Sequence, residues 1–190
     1  LTGADEHGQK IANTAAREGI APLALCDRCV AAFQALDARL DVSFDDYLRT
    51  TSDRHKATVR ELWRRCAAAG DIFLEQYEGW YDERAEAFVK QSEAEQLGFK
   101  DVDGVPLKRT QEECYFFRLG KYAAAIKAHV AAHPEFVQPE ARRVEVLKML
   151  DDAEALEKLS ISRTTFDWGV TLPDGFDAKH VMYVWIDALS

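Results

Sequence analysis

The sequence has no apolar run approaching the ~20 residues that span a bilayer, so no membrane-spanning helix is expected. Glycine (10) and proline (5) are too sparse for a collagen-like or low-complexity chain, and with 47% hydrophobic and 30% charged residues a disordered polyelectrolyte is excluded. Basic residues are in deficit: 24 Lys plus Arg face 33 Asp plus Glu, a formal charge of −9. That balance disfavours non-specific wrapping of nucleic acid and leaves room only for a local basic patch. Cysteine is scarce (4), and Leu1-Thr2-Gly3-Ala4-Asp5-Glu6 has neither the basic nor the apolar segment of a signal peptide, so reduced thiols in a cytoplasmic or organellar setting are expected. The first residue is not Met, and Asp187-Ala188-Leu189-Ser190 carries no stop signal, so the chain reads as a piece cut at both ends.

What is present is 190 residues, enough for one ordinary domain or a domain carrying a large insertion. Helix-forming residues at 13–18 stop at Gly19, and a second helix is expected over 22–40, with Pro22 in its first turn. Its stripe of Leu23, Cys26, Val30, Phe33, Leu36 and Leu40 reads as a core face. Ser52 or Asp53 can cap a third helix that buries Val59, Leu62, Trp63 and Cys66 and ends at Gly70. The segments 72–74 and 77–81 are aromatic and strand-like, and a polar stretch with turn signals at Leu97-Gly98 and Asp103-Gly104-Val105-Pro106 follows, which together predict a small antiparallel lobe. Another strand is expected at 114–117 and helices at 121–132 and 139–150, and the apolar run 181–186 reads as a strand covered on both faces.

Gly3-Ala4-Asp5-Glu6-His7-Gly8 lies where a strand should end and a helix begin, the place where open α/β sheets bind ligands. There Asp5 can hold an ammonium, His7 can donate to phosphate or carboxylate, and the glycines let backbone approach a ligand. Arg163, in Ser160-Ile161-Ser162-Arg163, suits a planar anion, and Trp185 with the small Ala188 beyond it suits the wall of an apolar pocket. Cys26-Asp27-Arg28-Cys29 has metal-ligand spacing, yet it lies within a helix and has no partner pair, so structural thiols are expected. The basic stripes Arg60, Arg64, Arg65 and Arg142, Arg143, Lys148 read as solvated faces.

Gly-Ala-Asp-Glu-His-Gly-Gln-Lys-Ile (3–11), Arg49-Thr50-Thr51 with His55, Gly70-Asp71-Ile72-Phe73 with Tyr77-Glu78-Gly79-Trp80-Tyr81, Glu112 to Leu119, Ser160-Ile161-Ser162-Arg163 and Tyr183 to Leu189 stand in the order found in methionyl-tRNA synthetases, which the chain resembles over essentially its whole length. The resemblance implies an α/β fold: a Rossmann-type nucleotide-binding domain at 1–70 and 160–190, interrupted by a small α+β connective-peptide insertion at 71–159. It implies a methionine–tRNA ligase that uses ATP with Mg²⁺, methionine and tRNA(Met), and a cytoplasmic or organellar location. By position, Asp5 corresponds to the carboxylate that engages the methionine ammonium and Arg163 to the arginine at its carboxylate end. Trp185 and Ala188 correspond to pocket walls with Tyr183 beside them, and His7 and Gly8 fall on the nucleotide side. The two ATP-clamping signatures of the family are absent and would flank these residues. Where many relatives carry a zinc knuckle, Trp80-Tyr81 is followed by Asp82-Glu83-Arg84-Ala85, so no zinc is expected. A leucine-, valine- or cysteine-type synthetase, or a non-catalytic synthetase-like interaction module, are the alternatives.

Overall fold

The computed structural model describes residues 1–82, 87–89, 91–151 and 156–189. Strand β1 (Thr2–Ala4) pairs in parallel with β2 (Tyr47–Arg49), so that Gly3 faces Leu48. A Cβ on Gly3 would lie 2.0 Å from the Leu48 carbonyl oxygen, which makes glycine a packing requirement here. The crossover between the two strands is a pair of helices, α1 (Gln9–Glu18) and α2 (Pro22–Arg39), as a parallel connection needs. α1 starts four residues ahead of its expected start at 13, directly after Gly8, whose φ of 109° lets the chain turn from strand to helix. In α2 only Leu25, Cys26 and Val30 are buried, whereas Leu23, Phe33, Leu36 and Leu40 are exposed. The expected core stripe is thus half right: the periodicity is real, but no described residue covers the second half of the helix.

Helix α3 (Asp53–Ala68) follows, with the Ser52 hydroxyl accepting from the His55 amide as its N-cap, and it buries Val59 and Trp63 completely. The lobe after it is a sheet of order β4-β3-β5-β6, made of β3 (Ile72–Asp82), β4 (Ala87–Val89), β5 (Lys108–Phe117) and β6 (Leu159–Ser160), with neighbours antiparallel. β3 and β5 pair along their length, from Ile72 opposite Phe117 to Tyr81 opposite Lys108. The sequence pointed to shorter strands because half of each carries polar side chains that alternate toward solvent. Helix α4 (Gln91–Gln96) packs on β3, while α5 (Ala123–Ala132) and α6 (Glu140–Asp151) pack on each other. Among the described residues no single helix is long and apolar enough to cross a membrane.

Strand β7 (Ser162–Arg163) pairs with β8 (Val181–Met182), and the chain then turns at Tyr183 into a one-turn helix, α7 (Val184–Asp187). The expected six-residue strand over 181–186 is therefore wrong beyond Met182. A short apolar run does not separate strand from buried helix, and here the amides of Ile186 and Asp187 both donate to the Tyr183 carbonyl. The main core joins these parts: Val59 and Trp63 of α3 meet Ile161, Val170, Met182 and Ile186, with Tyr115 and Phe117 of the sheet packed against them.

Candidate active site

The loop 5–8 between β1 and α1 is held from below by Glu6. This carboxylate is 2% exposed, and burying it requires full compensation. Arg49 Nε lies 2.9 and 3.0 Å from its two oxygens, the Thr51 hydroxyl donates at 2.5 Å, and the Glu6 amide donates to Thr50 Oγ1 at 2.9 Å. Arg49 also reaches Asp27 of α2 at 2.7 Å, and its guanidinium is held more basic than usual chiefly by the Glu6 hydrogen bonds. From the other side Trp168 Nε1 donates to the Glu6 carbonyl at 2.6 Å, and the Gly8 amide donates to the Trp168 carbonyl at 3.1 Å. The Cys26 thiol also points at the Glu6 carbonyl, 3.6 Å away, and burial pushes its pKa up to about 11. Cys26 is thus a packing thiol, as expected, while Cys29 is exposed.

Above this clamp, Asp5, His7 and Gly8 meet Phe166, Met182, Tyr183, Val184 and Asp187 around a cavity of about 110 Å³. Asp5 is exposed at its mouth, yet desolvation raises its carboxyl pKa above the usual value, with the nearby Asp187 charge adding to the effect. The amide of His7 donates weakly to Asp5 Oδ1 at 3.4 Å. Asp187, 1% exposed, takes His7 Nδ1 at 2.6 Å on one oxygen and His55 Nε2 of α3 at 2.7 Å on the other. The His7 ring is also set edge-on to Trp168, with centroids 5.7 Å apart.

The remaining site candidates fall around this cavity rather than in it. Arg163 is 1% exposed, and its guanidinium stacks 3.7 Å above the Tyr183 ring, on the cavity wall, and 4.9 Å from Phe88 of β4. Nη1 donates to Ser160 Oγ at 2.6 Å and to the Ser162 carbonyl at 2.8 Å, while Nε is buried with no partner among the described residues. Trp185 is 45% exposed on the outer face of α7, its ring 6.5 Å from that of Tyr183, and Ala188 caps the same helix. Asp5, His7, Gly8 and Tyr183 are thus brought together; Arg163, Trp185 and Ala188 stand one layer away.

Sequence reasoning did not assign roles to Asp187, His55, Glu6 or Phe166. A signal for Asp187 was present: a carboxylate inside the apolar run Tyr183-Val184-Trp185-Ile186-Asp187 has to be paired if that run is buried. Most of the basic-stripe side chains have partners: Arg60 bonds the distant Thr171, Arg65 bonds Glu61 one turn away, and Arg142 and Arg143 bond Glu145 and Glu140 on their own helix. Residues 83–86, where a zinc knuckle would begin, lie outside the described residues. Among the described ones the single group of three possible metal donors is Glu113, Asp177 and His180, and the Lys179 ammonium already contacts both carboxylates, at 2.6 and 3.2 Å.

A parallel strand pair with a helical crossover and a cavity at the strand end, followed by an antiparallel sheet, is consistent with the α/β core of a class I aminoacyl-tRNA synthetase. A family model described as tRNA synthetases class I (M) matches residues 1–97 and 101–190, and the chain belongs to that family. It is 46% identical over 193 residues to a methionine–tRNA ligase of Mycobacterium tuberculosis, covering 100% of this chain and 36% of the relative. It is 43% identical over 199 residues to that of Bacillus subtilis, covering 30% of it. The structure of Mycobacterium tuberculosis methionyl-tRNA synthetase in complex with methionyl-adenylate is similar over the full chain, with TM-score 0.88, 46% identity and 37% of that protein covered. The free state of the same enzyme matches 88% of the chain, with TM-score 0.74, 46% identity and 34% of it covered. The chain therefore spans 30–37% of the length of these proteins.

Proposed function

We propose that the protein carrying this chain is a methionine–tRNA ligase acting in the cytoplasm. With ATP and Mg²⁺ as substrate it converts methionine to methionyl-adenylate and pyrophosphate, then transfers the methionyl group to tRNA(Met). The observation that carries this reading is the likeness over the whole chain to a synthetase in complex with methionyl-adenylate. In the activation step the amino-acid carboxylate attacks the α-phosphate and pyrophosphate leaves. No protein nucleophile takes part, so positioning and charge do the catalytic work. Asp5 at the cavity mouth takes the α-ammonium, and Tyr183 forms a wall. Arg163 places a buried positive charge behind that wall, toward the carboxylate end. Trp185 and Ala188, a layer outside the cavity, are assigned to the thioether side of the methionine pocket, where sulfur–aromatic contact favours methionine over leucine. In this reading residues 1–70 and 160–190 belong to the nucleotide-binding domain and 71–159 to the insertion.

Zinc has no part in this reading, because the four cysteines are spread over α2, α3 and β5 and, among the described residues, none of them belongs to a group of three possible donors. Metal analysis of the full-length protein is expected to find well under one zinc per chain; a stoichiometric content would overturn this point. The reaction itself is tested by ATP–pyrophosphate exchange on the full-length protein. Exchange driven by methionine and not by leucine is expected, and exchange driven by leucine, or by neither, would overturn the assignment.

A further inference from the structure

Asp187 is the most enclosed acid at the site, and the activation chemistry above leaves it without a task. Its two oxygens are divided between two imidazoles, His7 Nδ1 at 2.6 Å and His55 Nε2 at 2.7 Å. An ionised carboxylate has lone pairs and no hydrogen to give, so each contacted nitrogen must carry its own hydrogen. For a neutral His7 this fixes the tautomer: Nδ1–H points at Asp187 and Nε2 is left as a bare lone pair. Two further contacts hold the arrangement. His55 is anchored on α3, 5% exposed, and pins the second carboxylate oxygen. Trp168 stands edge-on to the His7 ring while its own Nε1–H is tied to the Glu6 carbonyl.

The side chain of His7 is 6% exposed and lines the cavity beside Asp5 and Gly8. Nε2 has no partner among the described residues, so it is the ring nitrogen left for a ligand. We propose that Asp187 is a positioning residue that sets the His7 tautomer, so that the cavity presents a hydrogen-bond acceptor at His7 next to the carboxylate of Asp5. The ligand group that belongs there is an N–H or O–H donor, and a phosphate oxygen is disfavoured because two acceptors would face each other. The pairing with Asp5 selects the α-ammonium of the amino acid, which has three hydrogens to share; a ribose hydroxyl of ATP has the same chemistry. The proposal rests on the reading of the site as an amino-acid activation site and gives His7 an acceptor's role in place of a phosphate donor's.

The test uses the full-length enzyme with ¹⁵N-labelled histidine. Long-range proton–nitrogen spectra, with His7 assigned by its loss in His7→Gln, should show a protonated Nδ1 and a bare Nε2. A protonated Nε2 in the wild-type enzyme, as the other tautomer or as imidazolium, would overturn the proposal without any need for a folded Asp187 variant. Asp187→Asn has one amide oxygen and one NH₂ group for the two imidazoles; with the NH₂ against Nδ1, which the spectra of the variant verify, the hydrogen moves to Nε2. Reversing a histidine tautomer in this way costs up to about 10⁴-fold in serine proteases; here a loss of about 10²-fold in kcat/KM for methionine is expected. A rise in KM for methionine identifies the ammonium as the donor, and a rise confined to ATP identifies the ribose; both values unchanged would refute the proposal. In a His7→Ala background Asp187→Asn should add less than about threefold, because the two side chains act as one unit. An undiminished effect there would make Asp187 merely structural. Absence of methionine-dependent exchange in the wild-type enzyme would instead refute the assigned reaction, while the spectra would still decide the tautomer.

Discussion

Around the loop 5–8 the charged side chains are buried and interlocked: Glu6 at 2% exposure is gripped by Arg49 and Thr51, and Asp187 at 1% is shared by His7 and His55. On the β4-β3-β5-β6 sheet the ion pairs are isolated and wet, as in Arg109–Glu78, whose side chains are 69% and 52% exposed. Buried groups of the first kind lose their compensation when one member is removed, whereas exposed pairs gain little in a high dielectric. The loop region is thus built to hold a geometry, and the sheet to hold a surface. The difference is measurable, because the same type of substitution should have unequal consequences in the two places.

The largest effect is expected at Asp5, which has no arginine or lysine partner among the described residues. Asp5→Ala in the full-length enzyme should reduce methionine-dependent ATP–pyrophosphate exchange by at least about 10³-fold; near-normal exchange would remove Asp5 from the site. The pH dependence follows from its raised pKa, caused first by desolvation. A raised acid favours the folded state in its protonated form, a contribution present below the unfolded value of 3.8 and lost as pH rises through the folded one. Ionised Asp5 is therefore maintained against the preference of the fold, and Asp5→Asn should leave thermal stability at neutral pH undiminished. Binding an ammonium needs the carboxylate, so methionine affinity should fall as pH drops through the elevated pKa, and Asp5→Asn should flatten that dependence.

Glu6→Ala comes next and separates geometry from chemistry, since Glu6 lines no part of the cavity. Among the described residues it leaves Arg49, 27% exposed, with Asp27 as its remaining ion-pair partner, so a loss of about 2–3 kcal/mol is expected, a discount on fully buried pairs. Thermal unfolding should show the midpoint lowered by roughly 5–10 °C. An unchanged midpoint would place the Glu6 cluster in the same class as the sheet's surface pairs.

How much of this was legible depended on whether the relevant contact was local. Asp5, His7 and Gly8 were readable because strand, turn and helix follow one another within a few residues, and the Ser52 cap was readable for the same reason. The pairing of His55 with Asp187 spans 132 positions and that of His7 with Asp187 spans 180, so no periodicity could disclose them. α7 was hidden because Val181 to Ile186 is apolar throughout and carries neither a period of two nor one of 3.6. The exposed half of α2 was hidden because an amphipathic stripe reports that a face is apolar and does not report what lies over it.

Trp185 stands between the two regions in character, an exposed aromatic beside a buried wall. Trp185→Ala should raise KM for methionine about tenfold and KM for ATP less than about twofold, in keeping with a sulfur–aromatic contact of up to ~1.5 kcal/mol. Equal rises would mean that the ring only supports Tyr183.

The smallest effect is expected on the sheet. Glu78 and Arg109 are diagonal neighbours across β3 and β5, since Trp80 is the residue opposite Arg109, and their side chains meet at 2.6 Å. Such a contact would be strong if water were excluded, but with both groups more than half exposed it competes with hydration and with the cost of ordering two long side chains. Arg109→Ala should therefore change stability by no more than about 0.5 kcal/mol, a shift in thermal midpoint under about 2 °C, and added salt should erase even that. A drop as large as that expected for Glu6→Ala would show that the sheet, too, depends on its charges for geometry, and the distinction between the two regions would fail.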